Sequence, residues 1–281
     1  MAQRTLLAVH AHPDDETITM GGTLARYSAA GVRVIVVTCT TGDLGDVRDA
    51  SLLADAAGVG GLRQRELEAA AQRLGVSRVV QLGYADSGMA GWPNNRAPGA
   101  FFGADLGEAA SRLVEVIQAE RPQVLVAADE TGGYGHPDHV KSHQVAVAAY
   151  GASGAARSSK FYFVRFPLPW SREFVRSLRA VGIDAPGSAP CGADAGPEVT
   201  EIGVPDSYVT AQIDVTDYVA SKCAALACHR SQMPPDSFLM RIPPELAARL
   251  WSTEFYSREA GPDGATPGER ETDLFAGLAN S

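Results

Sequence analysis

Four short runs constrain the fold more than anything else in this chain. Leu6 to Val9, Val32 to Thr38, Val79 to Leu82 and Val124 to Ala127 are dominated by aliphatic and β-branched residues, with little polar alternation. Such runs suit strands buried on both faces. Between them lie segments with apolar residues at helical spacing, from Gly21, from Leu62 to Leu74 and from Leu106 to Glu120. Gly31, Gly75 and Pro122 close them. This alternation predicts an α/β fold: a doubly wound, mostly parallel, Rossmann-like sheet with helices on both faces. Phe161 to Phe166 reads as a further strand. Ligands in such sheets bind beyond the carboxyl ends of the strands, where the strand order reverses. A 3-2-1-4-5 order would make the first and fourth strands neighbours at that point.

The 281 residues suit a single domain, with a core over 5–166 and a C-terminal elaboration over 167–281. In the second half, Arg172 to Val181 reads as a helix, Ser207 to Ile213 as a strand and Val215 to Arg230 as a helix. Residues 184–206 are rich in Pro, Gly and Ala and predict a long loop. The stretch 40–61 predicts another, with Gly58-Val59-Gly60-Gly61 as flexible loop. Asp273-Leu274-Phe275 is the part of the polar tail suited to docking. A net charge of −9 with scattered basic residues argues against nucleic acid and against a membrane surface as partner. No apolar run approaches a membrane span, no signal peptide is visible, and the four cysteines form no Cys-x-x-Cys. A cytoplasmic protein with reduced thiols is the expectation.

The first strand runs directly into His10-Ala11-His12-Pro13-Asp14-Asp15-Glu16, and the fourth into a stretch ending Tyr134-Gly135-His136-Pro137-Asp138-His139. Carboxylates crowd together at a cost unless a cation or protons relieve it. Five of the six histidines lie in or beside these two motifs. His12, Asp15 and His139 are the candidate ligands: two imidazoles and a carboxylate with room for water suit catalytic Zn²⁺, and Fe²⁺ fits the same set. Asp14, next to a ligand but pointing elsewhere, is the candidate base for a metal-activated water. His136 and Tyr134 are candidates for the oxyanion donor and the acid, with Asp138 orienting His136 and holding it protonated. His10 reads as structural support and His143 as helix packing. His229 stands alone and reads as a satisfied histidine, unless a loop carries it to the crevice. No Gly-x-Gly-x-x-Gly follows the first strand, so a dinucleotide site has no support.

The pair His12-Pro13-Asp14-Asp15-Glu16 and Gly133-Tyr134-Gly135-His136-Pro137-Asp138-His139 resembles the LmbE/PIG-L family of zinc-dependent N-deacetylases, over roughly residues 5–150. The resemblance implies zinc on His12, Asp15 and His139, Asp14 as general base, His136 as acid or oxyanion stabiliser, and Tyr134 polarising the amide. Asp86-Ser87-Gly88-Met89-Ala90-Gly91 is similar to the deacetylase of the actinobacterial mycothiol branch, which acts on N-acetylglucosaminyl-inositol. Trp251-Ser252-Thr253-Glu254-Phe255 is similar to that branch's mycothiol S-conjugate amidase, although Thr19 stands where the amidase has lysine. A natural-product N-acetylglucosaminyl deacetylase is a third member type. Arg63 and Asp86, with Thr19, are the implied sugar contacts. The bland alternative for Arg63 is an ion pair with Glu66 or Glu68 on its own helix. A non-haem iron oxygenase uses similar ligands but usually on an all-β barrel. A non-catalytic metal- or sugar-binding protein has no need of Asp14, Tyr134 and His136 beside the ligands. The expected reaction is hydrolysis of an N-acyl amide on a small-molecule amino sugar.

Overall fold

The computed structural model describes residues 3–155, 159–184, 202–262, 264–266 and 268–278. Five strands, β1 (Thr5–His10), β2 (Arg33–Thr40), β3 (Arg78–Tyr84), β4 (Val124–Ala127) and β5 (Lys160–Arg165), pair in parallel in the expected 3-2-1-4-5 order. Two more strands extend this sheet. β7 (Thr253–Ala260) runs antiparallel to β5, and β6 (Ala211–Asp214) antiparallel to β7. The strand expected over Ser207 to Ile213 is therefore shorter and later, after a 3-10 turn at Asp206–Tyr208, and β7 had not been expected.

Strand periodicity explains the two cores. Leu6, Ala8, Val34, Val36, Val124 and Val126 face one layer, while Leu7, Val9, Ile35, Val37, Leu125 and Ala127 face the other. Helix α3 (Leu106–Glu120) lies in the second layer. A third apolar cluster joins α6 (Leu168–Ala180), α7 (Val219–Leu226) and α8 (Pro244–Leu250). The helix expected from Arg172 begins earlier, and the one expected over Val215 to Arg230 is a 3-10 turn followed by the short α7. The tail docks as expected. Leu274 and Phe275 are buried, and Lys160, Tyr162 and Arg258 all donate to the Glu271 carboxylate at 2.6–2.7 Å.

Two helix starts differ from expectation near the site. Helix α1 spans Asp15–Ala29, so it begins inside the first motif rather than at Gly21. It breaks at Met20 (φ −145°, ψ 22°), and the freed N–H groups of Gly22 and Thr23 donate to Glu254, which is paired with Lys222 at 2.7 Å. Gly22 admits Val215 so closely that a Cβ there would lie 2.6 Å from its Cγ2. Helix α2 spans Gly58–Leu74, so the glycines expected to be flexible loop form its first turn. Most of the loop expected over 184–206, including Cys191, lies outside the described residues. Among the described residues no helix is long and apolar enough to cross a membrane.

Candidate active site

The first motif is the turn from β1 into α1. Asp14 sits at φ 125°, one of two described non-glycine residues with positive φ. Such a conformation costs about 1–3 kcal/mol and persists only when its surroundings over-determine it. Here they do. The Asp14 N–H donates to Glu16 Oε2 at 3.0 Å, its carbonyl accepts from Thr17 and Ile18, and the His12 N–H donates to Asp15 Oδ2 at 2.8 Å. The second motif follows β4. Asp129 Oδ1 accepts from the Thr131 and Gly133 N–H groups, shaping the helical turn α4 (Gly132–Gly135). A Cβ on Gly132 would lie 2.5 Å from that of His139. Helix α5 (Pro137–Ala152) then begins with Pro137, its N-terminus capped by His136, whose Nδ1 accepts the Asp138 N–H at 3.1 Å.

The two turns bring the expected ligands together. His12 Nδ1 and His139 Nε2 are 3.0 Å apart, and the Asp15 oxygens lie 3.6 Å from the first and 3.3 Å from the second. Ligands about 2.0–2.1 Å from a tetrahedral metal are separated by about 3.3–3.4 Å. The outer nitrogens are also occupied. His12 Nε2 faces Asp138 Oδ2 at 3.3 Å, and His139 Nδ1 faces the Gly132 carbonyl at 3.0 Å. In its neutral form each imidazole can donate outward to these oxygens and leave its inner nitrogen for a metal, the arrangement usual for metal-binding histidine. The set fits a divalent ion with an open position. The carboxylates around this point favour positive charge there. Burial opposes charge on His12, but Asp138, Asp15 and Asp86 outweigh it and raise its pKa. Burial raises Asp15, yet His139 and His12 hold it well below the usual carboxylate range.

The groups around this point differ in protonation. Burial pushes Asp14 up to about 6, against the pull of the Arg63 guanidinium, so it is a base poised near neutrality. Burial, with His12 and His139 beside it, pushes His136 down to about 4. Because Nδ1 of His136 accepts a backbone N–H, the proton of the neutral ring sits on Nε2 and is available to a developing oxyanion. Tyr134 is raised by burial and by Asp15 and Asp14, so it remains a phenol donor. Its ring lies in the open cavity, accessible to solvent yet surrounded by protein, 5.1 Å from that of His139.

Several placements correct the sequence reading. The Asp138 carboxylate lies on His12 and the Ser87 N–H (2.8 Å), not on the His136 ring, and His136 is not held protonated. Arg63 pairs with neither Glu66 nor Glu68. Its guanidinium faces Asp14 at 3.2 Å and donates to the Pro13 and Gly42 carbonyls. Asp86 lines the cavity, but its Oδ1 accepts the Gly88 N–H and stands 3.6 Å from His12 Nε2. The Thr19 hydroxyl donates to the Asp15 carbonyl. His143 packs not within its helix but on Phe163 of β5 and meets the Ala128 carbonyl after β4, and His10 is buried at the end of β1. His229 does not stand alone: a loop after α7 sets its Nε2 3.3 Å from Glu16 Oε1. Glu16 and His229 are the support that sequence reasoning missed, and Glu16's place in the motif was its only local signal.

Both motifs open into one cavity of about 1430 Å³. Trp92 and Met89 stand on one wall, and Trp170, Phe174 and Phe238 on another. A smaller hollow of about 490 Å³ between α6 and α8 contains none of these groups.

Comparison with known proteins agrees with the geometry. Residues 7–150 match the PIG-L family, described as GlcNAc-PI de-N-acetylase. A 1D-myo-inositol 2-acetamido-2-deoxy-α-D-glucopyranoside deacetylase of Streptomyces avermitilis is 42% identical over 298 residues, covering 99% of each chain. The N,N'-diacetylchitobiose deacetylase of Pyrococcus horikoshii shares the fold at TM-score 0.57 and 22% identity, over 92% of this chain and 84% of that one. So does the 4-carboxy-2-hydroxymuconate hydratase GalB of Pseudomonas putida, at TM-score 0.57 and 18% identity, over 94% and 99%. A deacetylase and a hydratase on one scaffold show that the fold alone does not decide the reaction. The match over half the chain and the full-length likeness do decide the lineage: the chain belongs to the PIG-L family of GlcNAc-PI de-N-acetylases.

Proposed function

We propose that the protein hydrolyses the N-acetyl amide of a 2-acetamido-2-deoxyglucosyl inositol, with zinc as its metal. The observation that carries this reading is the convergence of His12, Asp15 and His139 with Asp14 beside them. The name of the Streptomyces relative supports the substrate. An ion bound to the three ligands supplies Lewis acidity, making water more acidic and polarising a carbonyl. Asp14 accepts the proton of the attacking water and afterwards returns it to the departing amine. His136 Nε2–H and the Tyr134 hydroxyl donate to the amide oxygen as it gains charge. Asp86 and Thr19, at the cavity wall, contact the sugar in this reading.

The free thiols of Cys39, Cys223 and Cys228 support a cytoplasmic location. The addition of β6 and β7 to the one sheet supports treating 1–281 as a single domain. A second reading, amide hydrolysis of mycothiol S-conjugates, is favoured by one observation: Trp170, Phe174 and Phe238 give the cavity an apolar wall suited to a hydrophobic substituent. The test is release of primary amine by zinc-loaded protein from N-acetylglucosaminyl-inositol and from an S-conjugate. Preferential turnover of the glycoside is expected. Turnover of the conjugate alone refutes the first reading, and activity with iron but not zinc refutes the metal.

A further inference from the structure

The loop after β3 is held rigid and tied to the site. At its base the Phe101 N–H donates to the Ala85 carbonyl at 3.0 Å, and the Phe102 N–H to the Ser87 hydroxyl at 2.8 Å. Asn95 fixes its tip. Its Nδ2 donates to the Ser87 and Met89 carbonyls at 2.7 and 3.1 Å, and its Oδ1 accepts the Gly91 N–H at 2.9 Å. The Gly88 N–H donates to Asp86 Oδ1 and the Ser87 N–H to Asp138 Oδ2, both at 2.8 Å. Trp92 is the large apolar side chain of this tip, 48% exposed and lining the main cavity. Its backbone is fixed, because its N–H donates to the Met89 carbonyl at 3.0 Å. Its ring rests on Gly88, where φ is +69° and a Cβ would lie 2.5 Å from the indole Cε3. Glycine at 88 thus serves both the turn and the seating of the ring. Asp86, on the same wall, is only 7% exposed. The carboxylate lies deep in the cavity and the indole stands at its mouth.

We propose that Trp92 is a specificity-determining contact for the ring beyond the reacting sugar, its indole stacking on the C–H face of the cyclitol aglycone. Sugar and cyclitol rings carry hydroxyls around their edges and C–H bonds on their faces. A carboxylate accepts from the edge, and an aromatic surface covers the face. Trp92 and Asp86 offer both on one wall, at different depths. The amide must reach the buried His12, Asp15 and His139, so the acetamido sugar occupies the depth of Asp86 and the next ring the mouth. An indole already held by its own loop presents a large apolar area with little left to order on binding. This deepens the deacetylase reading and rests on it for the identity of the substrate.

The test compares Trp92→Ala and Trp92→Phe with the unaltered protein, all zinc-loaded. The substrates are N-acetylglucosaminyl-inositol and N-acetylglucosamine, which lacks the outer ring. Truncating one aromatic contact costs about tenfold in affinity. Trp92→Ala is therefore expected to raise KM for the glycoside by about that factor, with kcat within a factor of about two. Its kcat/KM on N-acetylglucosamine and its zinc stoichiometry should be unchanged. Trp92→Phe keeps an aromatic face and should lose less than Trp92→Ala. A second readout needs no turnover. Trp92 is the most exposed of the three tryptophans. Binding of the product, glucosaminyl-inositol, should change tryptophan emission in the unaltered protein and not in Trp92→Phe. An unchanged KM for the glycoside in Trp92→Ala overturns the proposal. So does an equal loss on both substrates, which would place the ring on the reacting sugar or in support of Asp86. No emission change with the product, or one that persists in Trp92→Phe, overturns it as well. If the unaltered protein hydrolyses neither substrate, the deacetylase reading fails, and the emission change decides whether Trp92 meets the glycoside.

Discussion

Asp138→Asn separates two roles for a residue that both the sequence and the structure place in the site. If Asp138 served His136, the variant would lose rate at saturating metal. The geometry assigns it to His12 instead, through Nε2 at 3.3 Å, with the Ser87 N–H on the same oxygen at 2.8 Å. Asparagine keeps the shape and one acceptor but removes the charge. A hydrogen bond to a charged partner contributes about 1.5–3 kcal/mol and a neutral one about 0.5–1.5 kcal/mol. The difference of about 1–2 kcal/mol corresponds to roughly 5–30-fold in affinity. It falls largely within the roughly 10–100-fold typical when the outer partner of a metal-binding histidine is changed. Zinc affinity of Asp138→Asn should fall by that factor, measured by competition with a chromophoric chelator. At saturating zinc, kcat should stay within a factor of a few. An unchanged zinc affinity with kcat reduced a hundredfold would refute the assignment and restore the link to His136.

His12→Ala, Asp15→Ala and His139→Ala should each lose metal and activity together on dialysis, and full metal occupancy in any one removes that residue from the ligand set. Asp14→Asn should keep its zinc and lose about 10²–10⁴ in kcat, the usual worth of a general base; a loss below tenfold would show that another group takes the proton. The pair Glu16–His229 predicts a pH window for the loop that follows α7. Burial opposes both charges, but each partner stabilises the other, lowering Glu16 below 4.5 and raising His229 above 6.5. The stabilisation from Glu16 is present above 4.5 and lost as pH falls through its lowered value. That from His229 is present below 6.5 and lost as pH rises through its raised value. Hydrogen-exchange protection of residues 228–239, corrected for intrinsic rates, should therefore be greatest between 4.5 and 6.5. His229→Gln should abolish the decline on the alkaline side, and an identical alkaline decline in that variant would exclude the pair as its cause.

The parts legible in the sequence are those whose cause is local. Leu6 to Val9 and Val124 to Ala127 are buried on both faces, so their composition alone marks them as strands, and the alternation of strands with helices points to a parallel sheet. The convergence of His12, Asp15 and His139 was legible because histidine and acid pairs are rare enough to stand out. Partners distant in sequence were not. Asp138 meets His12 across 126 residues, and His229 meets Glu16 across 213, with no local periodicity to announce either. Strand β7 pairs antiparallel between β5 and β6, and its burial is too uneven to read as a two-face strand.

The start of α1 was missed for a different reason. Asp15 and Glu16 belong at once to the candidate metal motif and to a helix N-terminus, so the motif hides the start of the helix. The helix dipole favours acids in its first turn, and Asp15, placed there, also faces His12 and His139. Asp14 then has to leave the helix. Successive helical residues point about 100° apart, whereas Asp14 reaches Arg63 while Asp15 reaches the histidines. A positive φ at Asp14 supplies the extra rotation. Propensity would place glycine or asparagine at such a backbone, and either would remove the carboxylate that the chemistry needs. Local preference is overridden where two adjacent carboxylates face different partners, and the buried Arg63 and Glu16 are what hold that conformation.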